Sequence, residues 1–385
     1  VQVLFLNQGD GKMLKERKLI TFALSTIMLV STGLVSLADS VIETTGIVSN
    51  RDASIVFSNQ PLVNIQSSDG NIVADNSTKL NINRIAGSNR YETAVRVGEK
   101  ISETDNTSFI VLASGESFVD ALTAGNLASE YKCPLLFVNK NDIPKETRDN
   151  LDKMSNISRV FIVGGKSSVG FDKVPGYLES SIKRIAGANR RETSDKVFYE
   201  ILAHKKILDK ELLGIGDTYA TYDGYNFPDA LAATPFMYQL NLKQGSFVPM
   251  FPDMTIDKSK KIDSARGYIF GGKSSVPEYS IEGTRFDGSN RYDTSVRVAK
   301  AYKTILNKDL ETVVITSGED YPDALSAGPL ASYKNAAILL TGRGGLNPLV
   351  KKYIEETKSI KNVIIVGGES SVSSQVEKDL SSIVR

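Results

Sequence analysis

From about residue 81 onward, short continuous apolar runs alternate with stretches whose apolar residues recur every three or four positions. Phe109-Ile110-Val111-Leu112-Ala113 is one such run, the mark of a strand buried on both faces. Before it, Ala94, Val97, Gly98 and Ile101 fall at helical spacing with Arg96 and Glu99 outward, which predicts a helix over 91–101. The chain turns at Ser114-Gly115-Glu116, and Ala121, Leu122, Gly125 and Ala128 then share one side of a helix predicted over 119–131. A strand follows at 134–138. Pro144 opens a helix to 154, where a missing N–H leaves no partner unserved. A third strand at 159–163 ends at Gly164-Gly165, and a short helix over 177–181 leads into Ile182-Lys183-Arg184-Ile185. Further along, strands are predicted at 312–316, 336–340 and 363–366. Strands alternating with helices imply βαβ units, hence an α/β fold with parallel sheets flanked by helices.

The pattern is written three times. Arg84-Ile85-Ala86-Gly87-Ser88-Asn89-Arg90-Tyr91-Glu92-Thr93 returns as Arg184-Ile185-Ala186-Gly187-Ala188-Asn189-Arg190-Arg191-Glu192-Thr193 and as Arg285-Phe286-Asp287-Gly288-Ser289-Asn290-Arg291-Tyr292-Asp293-Thr294. The sequences Val119-Asp120-Ala121-Leu122, Pro228-Asp229-Ala230-Leu231 and Pro322-Asp323-Ala324-Leu325 recur in the same order, as do the Gly-Gly turns at Gly164, Gly271 and Gly367. The period of about 100 residues is domain-sized rather than solenoid-sized. Three small tandem domains are expected, at 81–181, 182–281 and 282–385. Three similar copies could close into a pseudo-threefold block, which removes the free ends of an open array.

Ahead of the repeats, Met13 opens a signal-peptide pattern. Lys15, Arg17 and Lys18 form a positive region, 19–35 is apolar, and Ser36-Leu37-Ala38 places small residues where a signal peptidase reads. We expect 13–38 to be a signal peptide cut after Ala38, and residues 1–12 to be an over-extended gene start. Residues 39–80 are expected to form an arm or linker, too short for an enzyme core of their own. After cleavage no membrane segment or C-terminal anchor is expected. Secretion without a disulfide fits a Gram-positive surface.

Composition narrows the chemistry. Lys and Arg number 46 against 45 Asp and Glu, a net charge of +1, which argues against a broad basic surface for nucleic acid. One histidine, His204, and one cysteine, Cys133, exclude a Cys/His-rich zinc site and any disulfide within the chain. No metal and no cofactor are expected. The absence of tryptophan weighs against a sugar-stacking lectin surface.

Asp120, Asp229 and Asp323 each stand at the start of a predicted helix, where a carboxylate faces the positive end of the helix dipole. Their expected role is structural, since catalysis would need a second carboxylate or base beside them in every copy. Arg90, Arg190 and Arg291 each follow an Asn in a turn entering a helix. They suit either a clamp onto a carboxylate, such as those aspartates, or a cation for an anionic ligand. Gly164-Gly165-Lys166-Ser167-Ser168 lacks the spacing of a nucleotide-binding phosphate loop. It suits a tight turn or a set of backbone N–H groups at the sheet's carboxyl edge. Tyr222-Asp223-Gly224-Tyr225-Asn226-Phe227-Pro228 is an aromatic-rich variant of the turn before the second helix, fit for an interface plug or a ligand wall.

These landmarks resemble the clostridial cell-wall-binding repeat, type two. The likeness rests on Arg-Ile-Ala-Gly-x-Asn-Arg-x-Glu-Thr in the first two copies and on Ser317-Gly318-Glu319-Asp320-Tyr321-Pro322-Asp323-Ala324-Leu325 in the third. Ile338-Leu339-Leu340 and Ile364-Ile365-Val366-Gly367-Gly368 complete it. The resemblance implies a Toprim-like α/β module in a trimer-like block that attaches secreted proteins to the cell wall by gripping an anionic surface glycopolymer. It implies surface-layer proteins as a second partner class. The family's polymer-binding strand maps onto Ile338, Leu339 and Leu340, with Leu135-Leu136-Phe137 a looser match in the first copy and Pro249-Met250-Phe251 a departure in the second. With Arg90, Arg190 and Arg291, the residues Ile338, Leu339, Leu340, Leu135 and Leu136 are the candidate polymer contacts. The expectation is a non-catalytic protein held noncovalently at the cell surface. The alternatives are a wall-associated peptidoglycan hydrolase such as an amidase, or a secreted adhesin.

Overall fold

In the computed structural model, the apolar runs become three four-stranded sheets in which every neighbouring pair of strands is parallel. The structure describes residues 79–103, 107–154, 156–170, 176–205, 218–243, 247–253, 266–277 and 282–384. The predicted signal peptide at 13–38 and the arm up to residue 78 lie outside them. The first copy runs β1 (Asn81–Ile85), α1 (Arg90–Ser102), β2 (Phe109–Ser114), α2 (Phe118–Glu130), β3 (Leu135–Val138), α3 (Lys145–Lys153) and β4 (Arg159–Val163), then a 3-10 turn at Gly176–Ser181. The second runs β5 (Ile182–Ile185), α4 (Arg190–His204), β6 (Thr218–Tyr222), α5 (Pro228–Lys243), β7 (Met250–Pro252) and β8 (Arg266–Phe270). The third runs β9 (Glu282–Phe286), α6 (Arg291–Thr304), β10 (Thr312–Ser317), α7 (Tyr321–Tyr333), β11 (Ala337–Thr341), α8 (Pro348–Glu356), β12 (Asn362–Val366) and α9 (Ser374–Ser381).

The sheets do not follow the sequence repeat. Their orders are β3-β2-β4-β5, β7-β6-β8-β9 and β11-β10-β12-β1. The strand that opens each copy therefore completes the sheet of the copy before it. For β1 that copy is the third, so the chain closes into a ring: Asn81 lies opposite Asn362 and Ile85 opposite Val366. Helices follow the same rule, with α4 packed on α2, α6 on α5, and α1 on α7. Inside, α2, α5 and α7 pack on one another through buried alanines such as Ala124, Ala233 and Ala327.

Strand alternation sets the two faces of the first sheet. Val111, Ala113, Phe161 and Val163 face the core shared by all copies, while Ile110, Leu112, Val160 and Ile162 face a smaller core on the other side. Polar groups inside the helical centre are paired across copies. Ser332 Oγ donates to Ser129 Oγ (2.9 Å), Thr234 Oγ1 to Asn126 Oδ1 (3.0 Å), and Gln239 Nε2 to the Ser332 carbonyl (3.1 Å).

Candidate functional site

The repeated Asn-Arg-x-Glu-Thr segment starts a helix in each copy. Asn89 Oδ1 accepts from the Tyr91 and Glu92 amides, Asn290 Oδ1 from those of Tyr292 and Asp293, and Asn189 Oδ1 from that of Glu192. The acid three residues on reaches back to the amide before the cap: Ser88 N donates to Glu92, Ala188 N to Glu192 and Ser289 N to Asp293, at 2.7, 2.9 and 2.8 Å. Bonds from the Ser88 hydroxyl and amide, then from Arg96, pull the Glu92 carboxyl down to about 2. The glycine at the motif's fourth position is required by crowding. A Cβ on Gly288 would stand 2.1 Å from the Thr294 amide nitrogen, and one on Gly87 2.5 Å from the Glu92 Cβ.

The motif's first arginine serves the neighbouring copy. Arg184 Nη1 donates to the carbonyls of Gly164 and Val169 (both 2.9 Å), and Arg285 Nη1 to those of Gly271 and Val276 (both 2.8 Å). Arg84 reaches the third copy, at the Gly367 (2.7 Å) and Val372 (2.8 Å) carbonyls and at Glu377 (2.7 Å). The Gly-Gly turns it grips spend their own N–H groups internally: Ser168 and Val169 N donate to the Gly165 carbonyl, and Gly164 N to that of Ile185. These bonds are those of a tight turn, and the amides of Gly164, Ser168 and Val169 are committed within it. Gly164, Gly271 and Gly367 have φ of +122°, +120° and +125°, and an added Cβ would lie 2.9–3.2 Å from an oxygen of Asp120, Asp229 or Asp323.

Those aspartates lie in the first turns of α2, α5 and α7. Ser168 and Ser371 hydroxyls donate to Asp120 (3.1 Å) and Asp323 (2.9 Å). The Thr294 hydroxyl serves Asp229, whose carboxyl burial pushes up to about 6. Asp120 and Asp323 thus tie a helix start to the Gly-Gly turn beside it, while Asp229 ties the start of α5 to the first turn of α6.

Arg90, Arg190 and Arg291 occupy the first position of α1, α4 and α6. Their guanidinium groups bond the carbonyls of Gly115 (2.6 Å), Gly224 (2.6 Å) and Gly318, the turns just after β2, β6 and β10. The carboxylate clamp onto the helix-start aspartates is corrected: each arginine bonds a turn carbonyl, and the aspartates accept from Ser168, Ser371 and Thr294 instead. In the second copy Arg190 Nε also lies 3.7 Å from Asp253 Oδ2. Tyr91 bonds Asn139, and Tyr292 donates to Glu319 (3.2 Å), on the same sheet edges.

Strand residues proposed as polymer contacts are elsewhere. Leu135 and Leu136 lie in β3 and Ile338, Leu339 and Leu340 in β11, all buried. Their side chains cannot touch a polymer unless the sheet opens, and they support the edge from within. Cys133 is fully buried and its thiol is pushed up by that burial, while His204 stacks on Tyr131 at 3.8 Å.

One feature of the candidate face went unread in the sequence although a signal was present. The residue two before each aspartate is aromatic, and Phe118, Phe227 and Tyr321 meet in a triangle with ring centroids 5.5–6.1 Å apart. Tyr321 Oη donates to the Glu116 carbonyl (2.8 Å), joining third copy to first. A small cavity of about 30 Å3 between first and second copies is lined by Thr123, Asn126, Phe198, Met237, Asn241 and Phe247, among others. A wider cleft of about 480 Å3 lies between the ends of α6 and α8. Its Lys303 is paired with Asp309 (2.7 Å) and its Lys308 donates to Gln239 (2.8 Å). The face carrying Arg90, Arg190 and Arg291, at the carboxyl ends of the parallel strands, is where ligands of such sheets bind.

Known proteins carry the same design. The chain is 30% identical over 322 residues to N-acetylmuramoyl-L-alanine amidase LytC of Bacillus subtilis, covering 80% of this chain and 59% of that protein. It is 30% identical over 307 residues to the amidase enhancer of the same organism, covering 77% of this chain and 40% of that one. It therefore spans about half the length of these curated relatives. Two solved structures share its fold: Cwp6 from Clostridium difficile, with a TM-score of 0.65 and 23% identity over 83% of this chain and 51% of that one, and Cwp8, with 0.61 and 22% over 79% and 51%. The family model for cell wall binding domain 2 matches at 84–173, 184–282 and 285–377, one match for each of the repeats, so this chain belongs to the cell wall binding domain 2 family.

Proposed function

We propose that the protein is a non-catalytic attachment protein, secreted and held at a Gram-positive cell surface by an anionic wall glycopolymer. The observation that carries this reading is the threefold repetition, in one closed ring of wall-binding domains, of an arginine beside a turn at the carboxyl edge of the sheet. An anion approaching such an edge meets, in each copy, a planar cation held against a turn carbonyl. The helix-start aspartates Asp120, Asp229 and Asp323 are engaged in structural ties to neighbouring turns and helix starts, which supports a structural rather than a catalytic role. A hydrolytic activity like that named for the amidase relative is not expected of this chain. Surface-layer proteins are the second partner class.

The test is co-sedimentation of the protein recovered from the cell surface with isolated Gram-positive walls, before and after hydrofluoric acid extraction of phosphodiester-linked polymer. Binding should fall at least about tenfold after extraction, as expected if most of the affinity is electrostatic and polymer-borne. The N-terminal residue of the same sample reports cleavage after Ala38. Undiminished binding to extracted walls, or release of soluble wall fragments, would overturn the proposal.

A further inference from the structure

The second copy's turn departs from its counterparts at two aligned positions. Arg191 stands where the others carry Tyr91 and Tyr292, and Tyr225 stands where they carry Glu116 and Glu319. The structure separates the two rings of Tyr225-Asn226-Phe227. Phe227 is buried in the triangle with Phe118 and Tyr321, so it is the plug. Tyr225 is 72% exposed, beyond Tyr199 at 54%.

Tyr225 is exposed but not loose. The Arg190 guanidinium carbon lies 3.5 Å from its ring centroid, so one face rests on a cation and the other is open to water. Arg190 is itself held by the Gly224 carbonyl at 2.6 Å and by Asp253. Asp253 also accepts from Gly224 N (2.8 Å), and its carbonyl accepts from Arg191. The Tyr225 amide donates to Asp223 Oδ1 (2.8 Å), which fixes the backbone under the ring. Asp253 therefore engages both Arg190, which backs the ring, and Arg191, and the ring so held has little freedom left to lose on binding.

We propose that Tyr225, backed by Arg190, is a stacking platform in the second copy for a sugar ring that carries an anionic group. A pyranose presents a face of C–H bonds whose hydrogens are slightly positive, and this packs on the negative face of an aromatic ring. The anionic substituent is met by exposed Arg191, with Arg190 adding charge from beneath. In the first and third copies the aligned position is a glutamate, so no aromatic face stands there. Tyr225 supplies an exposed flat surface, whereas Phe118, Phe227 and Tyr321 of the same turns are engaged with one another. The second copy, whose third strand departs from the family pattern, thus keeps a ligand contact of a different kind.

This platform rests on the polymer-binding reading, and the experiment separates their failures. The full chain and its Tyr225→Ala, Tyr225→Phe and Tyr225→Leu variants are titrated against native and hydrofluoric-acid-extracted Gram-positive walls, with thermal midpoints recorded for each. Tyr225→Ala and Tyr225→Leu should bind native walls about three- to tenfold more weakly at unchanged midpoint, and Tyr225→Phe within about twofold of the unaltered chain. Leucine keeps apolar bulk without a π face, so binding by Tyr225→Leu equal to that of the unaltered chain overturns the platform. If both small variants bind native walls normally while the unaltered chain loses extracted walls, the platform falls and the polymer reading stands. If the unaltered chain binds extracted walls undiminished, the polymer reading itself falls.

Discussion

Asp229 shows what a single carboxylate does at a crowded helix start. Burial outweighs the help of the Thr294 hydroxyl, and its carboxyl titrates near 6 rather than at the ordinary 3.8. The folded state thus holds this proton up to a higher pH than the unfolded chain does. Its contribution to stability is full below about pH 4, is lost as pH rises from about 4 to about 6, and is a constant penalty above that. The penalty is at most roughly 3 kcal/mol, from two pKa units and a fraction. Asparagine keeps the shape and a hydrogen-bonding oxygen without the charge. Asp229→Asn should therefore be more stable than the unaltered protein at pH 7, and the gap should close by pH 4, as read from urea midpoints across that range. Comparing the two proteins at each pH cancels the other titrating groups, including His204, which burial lowers and whose effect runs the opposite way. A gap independent of pH would show that the ionised carboxylate is not the source of strain.

At the scale of the element, the repeated motif is mostly a device for starting a helix at a fixed angle. Asn290→Ala removes the acceptor for two amides and should cost about 1 kcal/mol, with Asn290→Asp retaining most of it. Gly288→Ala should cost more, because its Cβ would fall 2.1 Å from backbone nitrogen that cannot retreat without unwinding the first turn of α6. Denaturant midpoints of the three variants check the order; equal losses at both positions would mean the turn relaxes. The helices and central strands around these starts were legible in the sequence because periodicity reports which face is buried. The helix predicted over 91–101 is Arg90–Ser102, and the strand predicted over 159–163 is Arg159–Val163. Apolarity, however, does not report whether a buried strand is also reachable. Ile338, Leu339 and Leu340 read as a binding strand by resemblance, yet each is inside the sheet. The triangle of Phe118, Phe227 and Tyr321 is hidden from local pattern for the converse reason: aromatics from three distant turns meet only through the ring.

Over the whole molecule, the partner of each opening strand is the feature no local pattern could give. β1 opens the first copy, but its ladder is with β12, 281 residues away. A strand assigned by sequence order would make β1 matter to the first sheet, whereas the observed pairing makes it matter to the third. The two views differ in a measurable way. Truncating the chain at residue 88 removes the β1 ladder, the Asn81 N bond to the Lys361 carbonyl, and the grip of Arg84 on Gly367, Val372 and Glu377. It leaves β12 with an open edge. It also leaves β5 on β4 and β9 on β8, so the first and second sheets keep every strand they have. Hydrogen exchange should therefore accelerate by about tenfold or more at 362–377, while amides of β2 and β4 stay protected, because local opening follows the contacts that are lost. Truncation at residue 78 removes none of these bonds and is the control for the loss of 79–88. Loss of protection centred on 109–114 instead would mean that the ring is not closed by its first strand.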